Sequence, residues 1–326
     1  MSRAPTTAPP ASRRATRTPG AVNRFRHNSN TLGTAIALPA NGDSPQVGVS
    51  CFNVIAGRVV LDLPAGVTNS FNSEVMVGGR APTPKGAHLE VRGGVNLFHG
   101  WCAVARSSGD ATTDPDNGDA CTLDILGGST TINSLGLGYC QNNGTIFNPL
   151  GIVNVSGGTL GVDLLRIDHT KSRGILNVSG GSVSLRNANI AHYNAGSAFT
   201  LNLTGGQFAC TGTLDTSVKG GTTVALNLLG GTFAAARITH TAATDTRLAA
   251  SGVVLKMNGD WSATEMRCGL QPATLQVSGD RTLAMPLGVR EADGGLDVTA
   301  ARLGDTLAFA DAVGVTLRVA DGATVS

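Results

Sequence analysis

Three groups of side chains have the types and spacing to do chemistry. His169 and His192 each lie 12 residues after a repeated glycine, at 157 and 180, and His240 takes a similar place in a repeat two residues shorter. Stacked imidazoles are ready metal ligands. Tyr139 and Ser217 hold the same offset in other repeats, and no clustered carboxylate completes a ligand set. An incidental polar corner is therefore favoured over a metal site. Asp168, His169, Lys171 and Arg173 form the densest charged group of the central region. Glycoside hydrolysis needs a pair of carboxylates, and only lone carboxylates are visible there.

The third group is the Asp-rich stretch 107–119, in which Asp114, Asp116 and Asp119 are the weak metal candidates. Ca²⁺ takes several oxygen ligands from a flexible loop. Here Gly118 comes one position early for an EF-hand and no Glu closes the loop, so a solvated surface loop is favoured. The chain has no nucleophile elbow, phosphate loop or metalloprotease motif. Trp101 and Trp261 are its only tryptophans, too few for a sugar-stacking track. No catalytic residue and no cofactor is expected.

The elements that must position these groups are written in a repeat. Val153-Asn154-Val155-Ser156-Gly157-Gly158 returns as Leu176-Asn177-Val178-Ser179-Gly180-Gly181, Leu201-Asn202-Leu203-Thr204-Gly205-Gly206 and Leu226-Asn227-Leu228-Leu229-Gly230-Gly231. The first glycines, Gly157, Gly180, Gly205 and Gly230, are 23, 25 and 25 residues apart. Apolar residues alternate on both sides of the Gly-Gly pair, as in Leu160 and Val162 or Val183 and Leu185. Period-2 alternation marks strands, and glycine marks the corner where the chain changes face. A period of this size signals a solenoid.

The sequence therefore predicts an all-β, single-stranded parallel β-solenoid (a β-helix, right-handed by expectation). Coils of about 20–25 residues hold roughly three short strands each. Equivalent strands of successive coils would pair and stack their apolar residues into one long core. Asn154, Asn177, Asn202 and Asn227 alternate against the core residues, so they should face outward as a ladder, bonded along the stack. The Asn-x-Ser/Thr sequons at Asn154, Asn177 and Asn202, and at Asn143, are read as coincidental. The same pattern extends upstream at Phe52-Asn53-Val54, Leu89-Glu90-Val91 and Leu123-Asp124-Ile125. Downstream it extends to Leu255-Lys256-Met257, Leu275-Gln276-Val277, Leu296-Asp297-Val298 and Leu317-Arg318-Val319. Upstream steps are longer, which places loop insertions in the N-terminal half.

Residues 1–45 read differently. They are rich in Arg, Pro, Ala and Thr, with no acidic residue before Asp43. A disordered basic leader is expected there, with the solenoid over 46–326. The leader has no apolar h-region, so it is not a secretory signal peptide. The C-terminal residues fall inside a strand pattern, so a continuing chain or end-to-end self-association is expected. A net charge of +2 points to no specific nucleic-acid partner, and no apolar run is long enough to span a membrane. Cys102, Cys121 and Cys140 are each 19 residues apart, so a disulfide between stacked coils is open beside the simpler reading of cysteine as buried filler.

The Leu-Asn-Val-Ser-Gly-Gly repeat, with the step Leu135-Gly136-Leu137-Gly138-Tyr139, resembles the repeats of autotransporter-type passenger domains and related large bacterial surface proteins. The resemblance covers about 123–240. It implies a β-helix, secretion and a cell-surface role such as adhesion or display, with surface glycans or another surface protein as partners. It carries no catalytic residues. The chain departs from that pattern in lacking a signal peptide and a C-terminal membrane barrel. The expectation is a non-catalytic secreted or cell-surface rod. The alternatives are a carbohydrate-active β-helix enzyme (a polysaccharide lyase or hydrolase) and a subunit of a fibre or viral appendage. Two close carboxylates in a groove would favour the enzyme, and flat polar faces with stacked Asn the rod.

Overall fold

The computed structural model describes residues 52–54, 56–78, 85–106, 120–139, 149–167, 172–190, 197–216 and 223–239, most of 253–262, and short strands between 23 and 38 and between 246 and 319. Every regular element among them is a β-strand. The strands form one 16-stranded and one 12-stranded sheet. All pairings are parallel except that of Leu287–Arg290 with Leu296–Asp297. This is the parallel β-solenoid that the repeat predicts.

The central coils share one plan. Leu150–Val155 lies in the 12-stranded sheet, the chain turns at Ser156-Gly157-Gly158, and Thr159–Ile167 lies in the 16-stranded sheet. That second strand is two strands in one. Leu160 and Val162 point inward, then the alternation slips, and Leu165 and Ile167 point inward. Register shifts fall at the corresponding place in neighbouring coils, between Ile132 and Ser134 and between Cys210 and Thr213. Near the N-terminus the two halves are separate: Thr68–Phe71 and Val75–Val77 pair with successive parts of Val95–Val104. Each coil thus has the three strands expected from its length.

The Gly-Gly corner is dictated by backbone geometry. Gly158, Gly181, Gly206 and Gly231 have φ of 63°, 63°, 68° and 71°, a left-handed conformation that glycine adopts without a Cβ clash. The glycine before each one is constrained by space instead. A Cβ on Gly205 would stand 2.5 Å from the carbonyl oxygen of Ser179 in the preceding coil, and one on Gly180 would run into the carbonyl of Ser156.

The core runs the length of the stack as rows of like residues. Leu123, Val153, Leu176, Leu201 and Leu226 are in register, and all are buried. Phe208 and Phe233 stack with their ring centroids 5.3 Å apart and their planes nearly parallel. Toward the N-terminus Phe52, Phe71 and Phe98 make edge-on contacts at 5.0 Å. One inward row turns polar there. Asn69 and Asn96 are fully buried, and Asn69 donates its amide to Asn96 at 2.9 Å.

Some of the flanking repeats fall in a different phase from the one their sequence pattern predicts. Leu89-Glu90-Val91 and Leu123-Asp124-Ile125 stack on Val153-Asn154-Val155 as expected. Phe52–Val54, however, pairs with Val75–Val77 in the other sheet, and Val59-Val60-Leu61 takes the expected place. Val254–Met257 likewise pairs with Thr232–Ala235, whereas Leu248-Ala249-Ala250 continues the Asn-bearing row. Phe52–Val54 and Val254–Met257 alternate and lead to a nearby glycine, Gly57 and Gly259, as the Asn-bearing strands do, so the pattern alone does not tell them apart.

In the central coils the connections back to the 12-stranded sheet leave from strand ends that are in register, as Val104, Leu137 and Ile167 are. They run through 105–120, 138–149, 168–172, 190–197, 216–222 and 240–245. The longest are in the N-terminal half, as the step lengths predict. Short strands at Asn23–Phe25, Ser29–Leu32 and Ala37–Leu38 also pair in parallel with the first solenoid strands, and the rest of 1–45 lies outside the described residues. Cys102 is free and buried in the 16-stranded sheet, and Cys121 is buried in the 12-stranded one. Cys210 is free and points into the core. Among the described residues no helix is long and apolar enough to cross a membrane.

Candidate functional site

The outer face of the 12-stranded sheet carries the chemistry. The asparagine row is continuous: Asn227 donates to Asn202 at 2.8 Å, Asn202 to Asn177 at 2.7 Å, and Asn177 to Asn154 at 2.8 Å, each from Nδ2 to Oδ1. Asn154 then donates to Oδ1 of Asp124 at 2.6 Å. Asp124 and Glu90 occupy the asparagine position of the two preceding coils, in direct register. At the other end Ala249 follows Asn227 and the row stops.

Around Glu90 and Asp124 the face becomes charged. His88 precedes Glu90 by two residues on the same strand, so both side chains leave the same side of the sheet. His88 is in register with Arg58 on one side and Thr122 on the other. The contacts run diagonally. Nε2 of His88 meets Oδ2 of Asp124. Arg58 donates from Nε to Oε2 of Glu90 at 2.8 Å and also from its terminal nitrogen. Arg92 donates to Oε1 of Glu90. Glu90 is only 5% exposed at its side chain, against 34% for Arg58 and 45% for Arg92, so the two guanidiniums roof the carboxylate.

The cations around them decide the charge state of the two acids. Burial pushes the Glu90 carboxyl up, but the hydrogen bonds and charges of Arg58 and Arg92 outweigh it and hold the group below its ordinary value. Burial likewise pushes Asp124 up. Hydrogen bonds from His88 and Asn154, with the charge of Arg58 nearby, bring it below its ordinary value. An ionised carboxylate only accepts hydrogen bonds. Asp124 therefore fixes which way the Asn154 amide points, and each amide beyond it follows.

One donor atom from each of His88, Glu90 and Asp124 lies within 4.8 Å of the other two, a separation a metal ion could bridge. The set also offers a histidine oriented by a carboxylate beside two arginines, the elements of acid–base chemistry on an anionic substrate. Both oxygens of Glu90 already accept from guanidiniums.

Of the groups singled out from sequence, the asparagine ladder and the glycines stand where expected. Asp114, Asp116 and Asp119, and Asp168, His169, Lys171, His192, Ser217 and His240, lie outside the described residues. Arg173 opens the strand Arg173–Val178. The His88–Glu90–Asp124 cluster is absent from the sequence-based reading. The signal for it was present: Glu90 and Asp124 stand where later repeats have Asn, which stacks two carboxylates on adjacent coils. Elsewhere on the surface Asp163 pairs with Arg186 across adjacent coils, with Arg186 donating to Oδ2 at 2.7 Å. Arg106, buried beside Glu74, lies 4.9 Å from the Trp101 ring and 5.4 Å from that of Tyr139. No protein-family model, no curated protein and no solved structure matches the chain.

Proposed function

We propose that this chain is a non-catalytic rod of the secreted or cell-surface kind, a stiff solenoid that presents the connections at its loop-bearing corner to surface glycans or to another surface protein. The observation that carries this reading is the in-register asparagine ladder, bonded amide to amide from Asn227 to Asp124. It covers a sheet face with satisfied polar groups and leaves the variable chain to one corner. Two acidic groups on the described faces are matched as well, Glu90 by Arg58 and Arg92 and Asp163 by Arg186.

A second reading, a carbohydrate-active enzyme, has one observation in its favour: the Glu90 and Asp124 carboxylates are close together on adjacent coils. Retaining glycosidases hold their two carboxyl groups about 5 Å apart. The arginine roof over Glu90 speaks against that role, because a general acid needs a raised pKa and Glu90 is held low.

A glycan-array binding screen, paired with a reducing-end assay on the same polysaccharides, separates the two. Binding without product supports the display rod. New reducing ends overturn it and direct attention to Glu90 and Asp124. Silence in both assays removes the glycan partner and leaves the rod to a protein partner.

A further inference from the structure

We propose that His88, Glu90 and Asp124 form a three-ligand site for a divalent transition-metal ion of the Zn²⁺ class. The donor atoms, one imidazole nitrogen and two carboxylate oxygens, all lie within 4.8 Å of one another. A mixed set of this kind suits borderline first-row ions, for which imidazole is a preferred ligand, over the hard ions that take oxygen alone. Three protein ligands leave coordination positions open for water or a ligand oxygen.

The fold holds the three donors on backbone that cannot drift. His88 and Glu90 alternate on one strand, and Asp124 is hydrogen-bonded in register on the next. The surrounding contacts are those that orient metal ligands. Asn154 fixes the Asp124 carboxylate, and Arg58 and Arg92 fix that of Glu90. Each carboxylate oxygen has two lone pairs: Oε2 of Glu90 accepts twice from Arg58, whereas Oε1 accepts once, from Arg92, and retains one for an ion.

A second observation points to the same place. Thr122 is in register with His88 and two residues from Asp124, so its side chain leaves the same face. Its hydroxyl oxygen is buried and has no hydrogen-bond partner among the described residues. A water bound to the ion would supply that partner. On binding, the ion takes the place of the direct contact between His88 Nε2 and Asp124 Oδ2. The two guanidiniums oppose a dication, so micromolar affinity is expected in place of nanomolar.

The test is calorimetric titration of the full chain with Zn²⁺ in chelator-treated buffer, with Co²⁺ as the spectroscopic probe. One equivalent should bind, and Co²⁺ should show no thiolate charge-transfer band, which excludes the cysteines. His88→Gln and Asp124→Asn should each weaken binding at least about tenfold. The triple variant His169→Gln, His192→Gln, His240→Gln should bind as the parent does. Absence of binding to micromolar Zn²⁺, binding unchanged in both single variants, or loss in the triple variant would each overturn the proposal. Should a variant fail to fold, the imidazole NMR signals of the parent chain decide. Zn²⁺ must shift those of His88, and a shift confined to other histidines overturns the site.

Discussion

Asn154 donates its side-chain amide to the Asp124 carboxylate across 2.6 Å, and that contact gives the whole asparagine ladder its direction. An amide in the middle of the row gives one hydrogen bond and accepts one, so Asn202 holds two. A net hydrogen bond contributes about 0.5–1.5 kcal/mol. Asn202→Ala should therefore lower unfolding stability by about 1–2 kcal/mol. Asn202→Asp should cost more, because its carboxylate would face the Asn177 oxygen with no proton to share. Urea denaturation reads both, and the effect should appear in the midpoint with the slope unchanged.

Acid should destabilise the protein through Glu90 and Asp124. Both carboxyls sit below their ordinary values in the fold. A carboxyl with a depressed folded pKa contributes stability above its unfolded pKa, and that contribution is lost as pH falls through the folded value. Stability should hold at neutral pH and decline below roughly pH 5, where unfolded carboxylates begin to bind protons. Asp124→Asn should flatten part of that decline. Thermal melts of the parent and the variant across pH 2–6 (a range chosen around the ordinary carboxylate values) measure it. Parallel curves for the two proteins would refute the assignment.

The two kinds of glycine should respond very differently to alanine. Gly181 has φ of 63°, and a Cβ on it would stand 2.6 Å from the carbonyl oxygen of Gly158. Gly161 lies within a strand, where a Cβ meets nothing closer than 3.8 Å. Gly181→Ala should cost about 2 kcal/mol or more, since a left-handed non-glycine residue alone costs of order 1–3 kcal/mol. Gly161→Ala should be near neutral or mildly stabilising. Denaturation midpoints of the two variants, measured side by side, provide the check.

Phe208→Ala should open a cavity beneath Phe233 and cost about 3–5 kcal/mol. In a solenoid each coil touches only its neighbours, so the damage should stay local. Amide exchange should accelerate in the strands Ser182–Asn189, Gln207–Asp215 and Thr232–Thr239 well before it does in Val95–Val104. Uniform acceleration along the stack would contradict this quasi-linear energetics.

Cys102, Cys121 and Cys210, all buried, should be inert in the folded state. Burial pushes the Cys210 thiol up to about 11, and that of Cys102 further still. Thiolate is the reactive form. Labelling with a thiol reagent should therefore spare Cys102, Cys121 and Cys210 until denaturant is added, as intact mass and peptide mapping would show.

The strand content, the coil length, the three-strand plan, the outward Asn row and the glycine corners were all legible in the sequence. Period-2 alternation and a 23–25-residue recurrence admit few other folds. Phase was legible only where the whole Leu-Asn-Val-Ser-Gly-Gly phrase survives. At Phe52 and Leu255 the shorter cue of alternation ending near glycine fits either sheet, and the pairing partners decide. The charged cluster was hidden for a related reason. Arg58, His88, Glu90, Arg92 and Asp124 are spread over 67 residues, since 124 − 58 = 66 steps separate the first from the last. Parallel register brings them within contact, and loops of unequal length conceal that register from any fixed spacing. Sequence by itself determined the repeating unit, because local alternation and glycine's backbone freedom act within a single coil. Tertiary structure alone decided which coils' side chains meet, because hydrogen bonding between strands sets that alignment whatever the length of chain in between.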